Sequence, residues 1–98
     1  MRNWPGRNSL AMAGANPFHG NTTLRYGLPV AGAAKLRIFD AQGRVVRTLL
    51  DGASREAGTF TVAWDGRDAG GGAAGPGLYW ARLESAGRNV VQKLLLTR

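Results

Sequence analysis

From Asn21 onward, apolar residues recur with period two in short runs broken by glycine. That period matches the pleat of a β-strand, and no stretch carries the 3.6-residue period of an amphipathic helix. Thr22–Leu28 sets Leu24, Tyr26 and Leu28 on one face with Arg25 and Gly27 opposite. Pro29 then ends the run, because it cannot donate to a ladder. Residues 34–39 alternate again, and Asp40-Ala41-Gln42-Gly43 places Asp first and Gly last in a four-residue turn, which predicts a hairpin. Its return strand spans 44–50 and is expected to close at Asp51-Gly52. Val46 and Leu49 cannot both face inward from a regular strand, so this strand should carry a bulge or lie at an edge.

Gly58–Trp64 alternates most cleanly, with Phe60, Val62 and Trp64 inward and Thr59, Thr61 and Ala63 outward, which marks Trp64 as the central core aromatic. Residues 65–77 are dominated by glycine and read as a loop with at most a short edge pairing. Residues 78–85 put Tyr79, Ala81 and Leu83 on one face and Leu78, Trp80 and Arg82 on the other. Ala86-Gly87 then turns the chain into a last strand, 89–96, whose Leu94-Leu95-Leu96 is apolar enough to be covered on both sides. Six or seven short strands with one apolar face each predict an all-β chain folded as a two-sheet antiparallel sandwich. Its expected core is Leu24, Tyr26, Leu36, Ile38, Phe60, Val62, Trp64, Tyr79 and Leu83.

At 98 residues the chain supports one core. Cysteine is absent, so neither a disulfide nor a thiolate metal site can hold it together, and no apolar run approaches the roughly 20 residues that span a bilayer. Residues 1–15 read as a flexible N-terminal arm or linker, with the domain at 16–98. The apolar stretch Leu10 to Ala13 is too short for a signal peptide, so any export signal is expected upstream. The segment from Asn8 to Phe18 packs no obvious core of its own.

The formal charge is +7, and all the basic residues except Lys35 and Lys93 are arginine. Arg25, Arg37, Arg47 and Arg82 fall on the polar positions of strands, where a solvated face needs long polar side chains. No recognition helix or aromatic–basic motif accompanies them, so nucleic acid is not expected as a partner. Asp65, Gly66 and Asp68 resemble half of a calcium loop, but two carboxylates are too few. They read instead as turn-organising residues whose side chains cap backbone amides. His19 is the only histidine and Ser9, Ser54 and Ser85 the only serines. None sits in a nucleophile elbow, and no Gly-Lys-Ser or Gly-Lys-Thr follows the glycine run 70–77. No catalytic, cofactor or metal site is expected. Trp80 shares a face with Arg82, which suggests a contact patch for a protein partner or, less favoured, for a stacked sugar.

Asn16-Pro17-Phe18, Thr22 through Pro29, Ile38 through Val46, Trp64-Asp65-Gly66-Arg67-Asp68, Gly77 through Leu83 and Lys93 through Leu96 occur in the order seen in FlgD Ig-like domains, which this chain resembles from about residue 16 to 98. It is similar to the type A C-terminal sorting domains of the type IX secretion system, with relatives in the flagellar hook-capping protein. It departs from them at His19-Gly20, where a second Asn-Pro is usual, and in the long run Gly70-Gly71-Gly72. The resemblance implies an immunoglobulin-like (fibronectin III-like) sandwich without chemistry of its own. It also implies a module of a secreted bacterial protein, extracellular or at the cell surface of a Gram-negative-type bacterium, acting in export or attachment through protein contacts. Trp80, Arg82, Lys93 and Arg98 are the contact residues expected. The alternative is a structural subunit that self-assembles into a filament or cap, its N-terminal arm adding as a strand to a neighbour.

Overall fold

A computed structural model describes residues 8–97. Trp4 and Arg98 lie outside the described residues. Among the described residues eight strands follow one another without a helix: β1 Ser9–Met12, β2 Phe18–His19, β3 Thr22–Leu28, β4 Gly32–Asp40, β5 Val45–Arg55, β6 Gly58–Trp64, β7 Gly77–Ser85 and β8 Arg88–Thr97. They form a three-stranded sheet, β1-β3-β6, and a five-stranded sheet, β2-β8-β7-β4-β5, which is a two-sheet sandwich. The pairings are antiparallel except for β2, which runs parallel to β8.

Between the sheets lie Leu24, Tyr26, Leu28, Leu36, Ile38, Trp64, Ala81, Leu83, Leu94 and Leu96, all essentially inaccessible. Trp64 is at the centre. Its ring meets Phe18 at 5.9 Å and Tyr79 at 5.4 Å, both edge to face, a geometry that satisfies the ring quadrupoles. Phe60 and Val62 are only partly buried, because β6 is an edge strand with no second strand beside it among the described residues.

The expected hairpin after β4 forms. Gly43 N–H donates to the Asp40 carbonyl at 2.9 Å, Gly43 has φ 86°, and the Asp40 carboxylate accepts from Gln42 N–H and Arg44 N–H. The return strand β5 is both bulged and at the edge. Its register slips at Val46, at Leu49 and near Gly52, and Val46 and Leu49 are the extra residues that turn in against the core. Asp51-Gly52 does not end this strand as its turn chemistry suggests. Gly52, at φ 90°, sits in the third slip, and pairing continues to Arg55.

The N-terminal segment departs most from the sequence reading. Of residues 1–15, read as an arm, Ser9–Met12 forms β1 on β3 of the same chain. Asn8 Nδ2 donates to the carbonyl of Ser85 at 3.0 Å, and Phe18 is buried at 4% exposure against Trp64. Asn16 acts in place of a strand residue. Its Nδ2 donates to the Lys93 carbonyl at 3.0 Å and its Oδ1 accepts Leu95 N–H at 2.9 Å, which satisfies the groups that β8 leaves open beyond the end of β2. Leu95, expected to be covered on both sides, is 41% exposed because Leu94 and Leu96 alone point into the core.

Candidate binding face and its turn

The alternation that buries Tyr79, Ala81 and Leu83 forces Leu78, Trp80, Arg82 and Glu84 onto the outer face of the five-stranded sheet. The ladders then assemble a continuous surface. Leu78 stands opposite Leu95, Trp80 lies between Lys93 and Phe39, Phe39 continues to Val45, and Arg82 lies between Val91 and Arg37. Val45, Leu78, Trp80, Val91 and Leu95 are all large, apolar and at least 36% exposed. Scattered apolar residues are ordinary on a surface, but a contiguous group rimmed by charge marks a contact site.

Cations are fixed within this face. Glu84 accepts from the guanidinium groups of Arg37 and Arg82, each at 2.8 Å. Both guanidinium groups also lie over the Phe39 ring, at 5.3 Å and 4.7 Å from its centroid. The hydrogen bond from Arg37, with help from Arg82, holds the Glu84 carboxyl below the ordinary carboxylate range despite partial burial. Partly exposed ion pairs contribute little stability. Their effect here is geometric: two cations are held over the Phe39 ring, which stands opposite Trp80 in the ladder.

Of the residues singled out in the sequence, the structure brings together Trp80, Arg82 and Lys93. Asp65, Gly66 and Asp68 lie elsewhere, in the loop after β6. Asp65 accepts from Arg67 N–H at 3.0 Å and from Arg47 at 2.8 Å, Gly66 takes φ 74°, and Asp68 accepts from the N–H groups of Gly70 and Gly72 at 3.0 Å each. Burial raises the Asp65 pKa, but the Arg67 amide and the Arg47 guanidinium outweigh it and leave the carboxyl below its ordinary value. The loop is tied to the core by Trp64 Nε1, which donates to the Arg67 carbonyl at 3.0 Å. Among the described residues no group of three or more His, Cys, Asp or Glu side chains converges as metal ligands. Sequence reasoning missed Phe39, Val45 and Val91 as members of the outer face. Period two places Phe39 there, but Val45 reaches it only through the bulges of β5.

A family model described as the FlgD Ig-like domain matches residues 8–89. No curated protein matches the chain. Among solved structures, the chain is similar to dimeric latent PorU from Porphyromonas gingivalis, at 20% identity and a TM-score of 0.69 over 92% of this chain and 9% of PorU. It is similar to FlgD from Xanthomonas campestris, a protein of hook capping in flagellar assembly, at 28% identity and a TM-score of 0.59 over 92% of this chain and 67% of FlgD. It is also similar to PorZ, a surface component of the type IX secretion system of Porphyromonas gingivalis, at 18% identity and a TM-score of 0.58 over 91% of this chain and 11% of PorZ. The matched span runs from Asn8, whose side chain donates to the Ser85 and Arg88 carbonyls on either side of the turn between β7 and β8, through both sheets to the start of β8, and on that ground the chain belongs to the FlgD Ig-like domain family.

Proposed function

We propose that this chain is a non-catalytic docking module of an exported bacterial protein, working at the cell surface or outside the cell through protein contacts. The observation that carries this reading is the outer face of the five-stranded sheet, where Trp80, Leu78, Leu95, Val91 and Val45 surround the Phe39–Arg37–Arg82 stack. Tryptophan and arginine are the residues that most often anchor protein interfaces, because each buries much surface while keeping a polar tip. On the face itself the Glu84 carboxylate is held by two arginines, which fixes the cations beside the apolar side chains. The solved relatives in secretion and hook assembly support a contact role, with the secretion apparatus or a neighbouring domain as the partner.

The test attaches the chain to an unrelated passenger in a host carrying a type IX secretion system. The intact chain should carry the passenger to the surface or medium. Trp80→Ala, Arg82→Ala or Lys93→Glu should retain the melting temperature and lose export, and Arg98→Ala probes the last residue in the same way. A passenger left in the periplasm by the intact chain, or folded face variants exported normally, would overturn this function.

A further inference from the structure

The two sheets leave their strand edges protected to very different degrees. The β5 edge is broken by three register slips and carries Arg47, Asp51 and Arg55. The β8 edge is occupied by β2 and by the side chain of Asn16. The β1 edge is four residues long. The β6 edge has none of these devices: Gly58–Trp64 pairs with β3 in unbroken register over its whole length, without a charge or a proline. Proteins normally blunt such edges, because a regular, uncharged row of open amides is a template for another strand.

The direction of those amides follows from the ladder. Ala13 N–H donates to the Thr23 carbonyl at 2.9 Å, so Thr23, Arg25 and Gly27 point their backbone groups toward β1 and the alternate residues of β3 point toward β6. Within β6, Gly58, Phe60, Val62 and Trp64 therefore face β3, and Thr59, Thr61 and Ala63 direct N–H and C=O away from the sheet. Among the described residues β6 has no second strand beside it. The side chains of Thr59, Thr61 and Ala63 are exposed, while Phe60 and Val62, on the inner face, are only half covered.

From this geometry we infer that β6 pairs with β6 of a second copy of this chain, antiparallel about a two-fold axis at Thr61. The strip is complementary to itself. With Thr61 opposite Thr61, Thr59 meets Ala63 and each of these pairs exchanges both hydrogen bonds. On the inner face the same register sets Phe60 against Val62 of the other copy, an aromatic–β-branched pair that covers the two side chains left half exposed. An unrelated partner strand requires none of this self-complementarity. The sheets merge into one six-stranded sheet, on a surface separate from the outer face proposed above as the docking site, so either proposal can fail alone.

Sedimentation equilibrium of the whole chain at about 0.15 M salt, where the Debye length of about 8 Å limits repulsion between the two cationic copies, tests the pairing. The wild type should be in monomer–dimer equilibrium. Thr61→Lys places like charges opposite each other on the axis and should weaken the dimer by roughly tenfold or more, and Thr61→Glu should do the same. Because Thr61 is exposed, both variants should keep the wild-type thermal midpoint at low concentration. An equimolar mixture of the two should restore the dimer. A wild type monomeric at every concentration, a dimer indifferent to either charge, or a mixture that stays monomeric would each overturn the inference. Thr61→Pro, which removes only an outward-facing donor, serves as the second variant if a charged one unfolds.

Discussion

Replacing Trp64 by alanine removes the side chain on which both sheets and the 65–77 loop converge. The ring is wholly buried and touches Phe18 from β2 and Tyr79 from β7, and its Nε1 donates to the Arg67 carbonyl. Loss of a buried tryptophan of this kind costs about 3–5 kcal/mol, a large share of the roughly 5–10 kcal/mol expected for a domain of this size. At about 4–8 °C per kcal/mol the melting temperature should fall by about 15 °C or more. Trp64→Phe separates the contributions, since it keeps most of the ring contact and deletes the donor. The Arg67 carbonyl also accepts from Arg47 at 3.2 Å, so it is not orphaned, and the donor should cost only about 0.5–1.5 kcal/mol. Urea unfolding of the three proteins, followed by circular dichroism, measures the ladder. A Trp64→Ala variant within about 1 kcal/mol of wild type, or a Trp64→Phe variant as damaged as Trp64→Ala, would refute the assignment of stability to ring packing.

EDTA should leave the thermal midpoint unchanged, because turn amides and Arg47 already occupy Asp65 and Asp68; a fall of several degrees in a melting scan would contradict this. Asp40 is held below its ordinary pKa, chiefly by Arg44 N–H, and Asp65 and Glu84 are also lowered. Depressed carboxylates stabilise the fold in full above the ordinary carboxylate range and lose that contribution as pH falls through their folded-state values. The urea midpoint should therefore be flat above about pH 5 and decline below it, and Glu84→Gln should shallow the decline. Ala86 has φ 54° beside Gly87 at φ 74°, a type I′ turn in which Asn is preferred at the first position. Ala86→Asn should raise stability by about 0.5–1 kcal/mol in urea titration. Deleting residues 90–96 removes Leu94 and Leu96 from the core and should abolish the cooperative melting transition.

Strands that satisfy their own alternation were legible in the sequence. β3 and β6 have the boundaries that period two predicts, and seven of the nine expected core residues are buried, with Phe60 and Val62 at the open edge. What escaped notice depends on partners far along the chain. The segment Ser9–Met12 has no strong alternation and becomes a strand because β3 offers an edge to it, while Asn8 and Asn16 use side chains as backbone. The continuation of β5 past Gly52 escaped for a similar reason, since a glycine that would close a turn can equally sit in a bulge. On the outer face, Trp80 and Arg82 followed from alternation. Their stacking with Arg37 on Phe39, and the arrival of Val45, required the register across three strands.

The clasp between Asn16 and Leu95 spans 79 positions. At a synthesis rate of roughly 5–20 residues per second, the ribosome takes about 4–16 s to supply the second half of that clasp after the first has emerged. Throughout that interval Phe18 has no β8 to lie against, and β2 cannot join its sheet. The nascent chain therefore cannot complete its five-stranded sheet until almost its last described residue has been made.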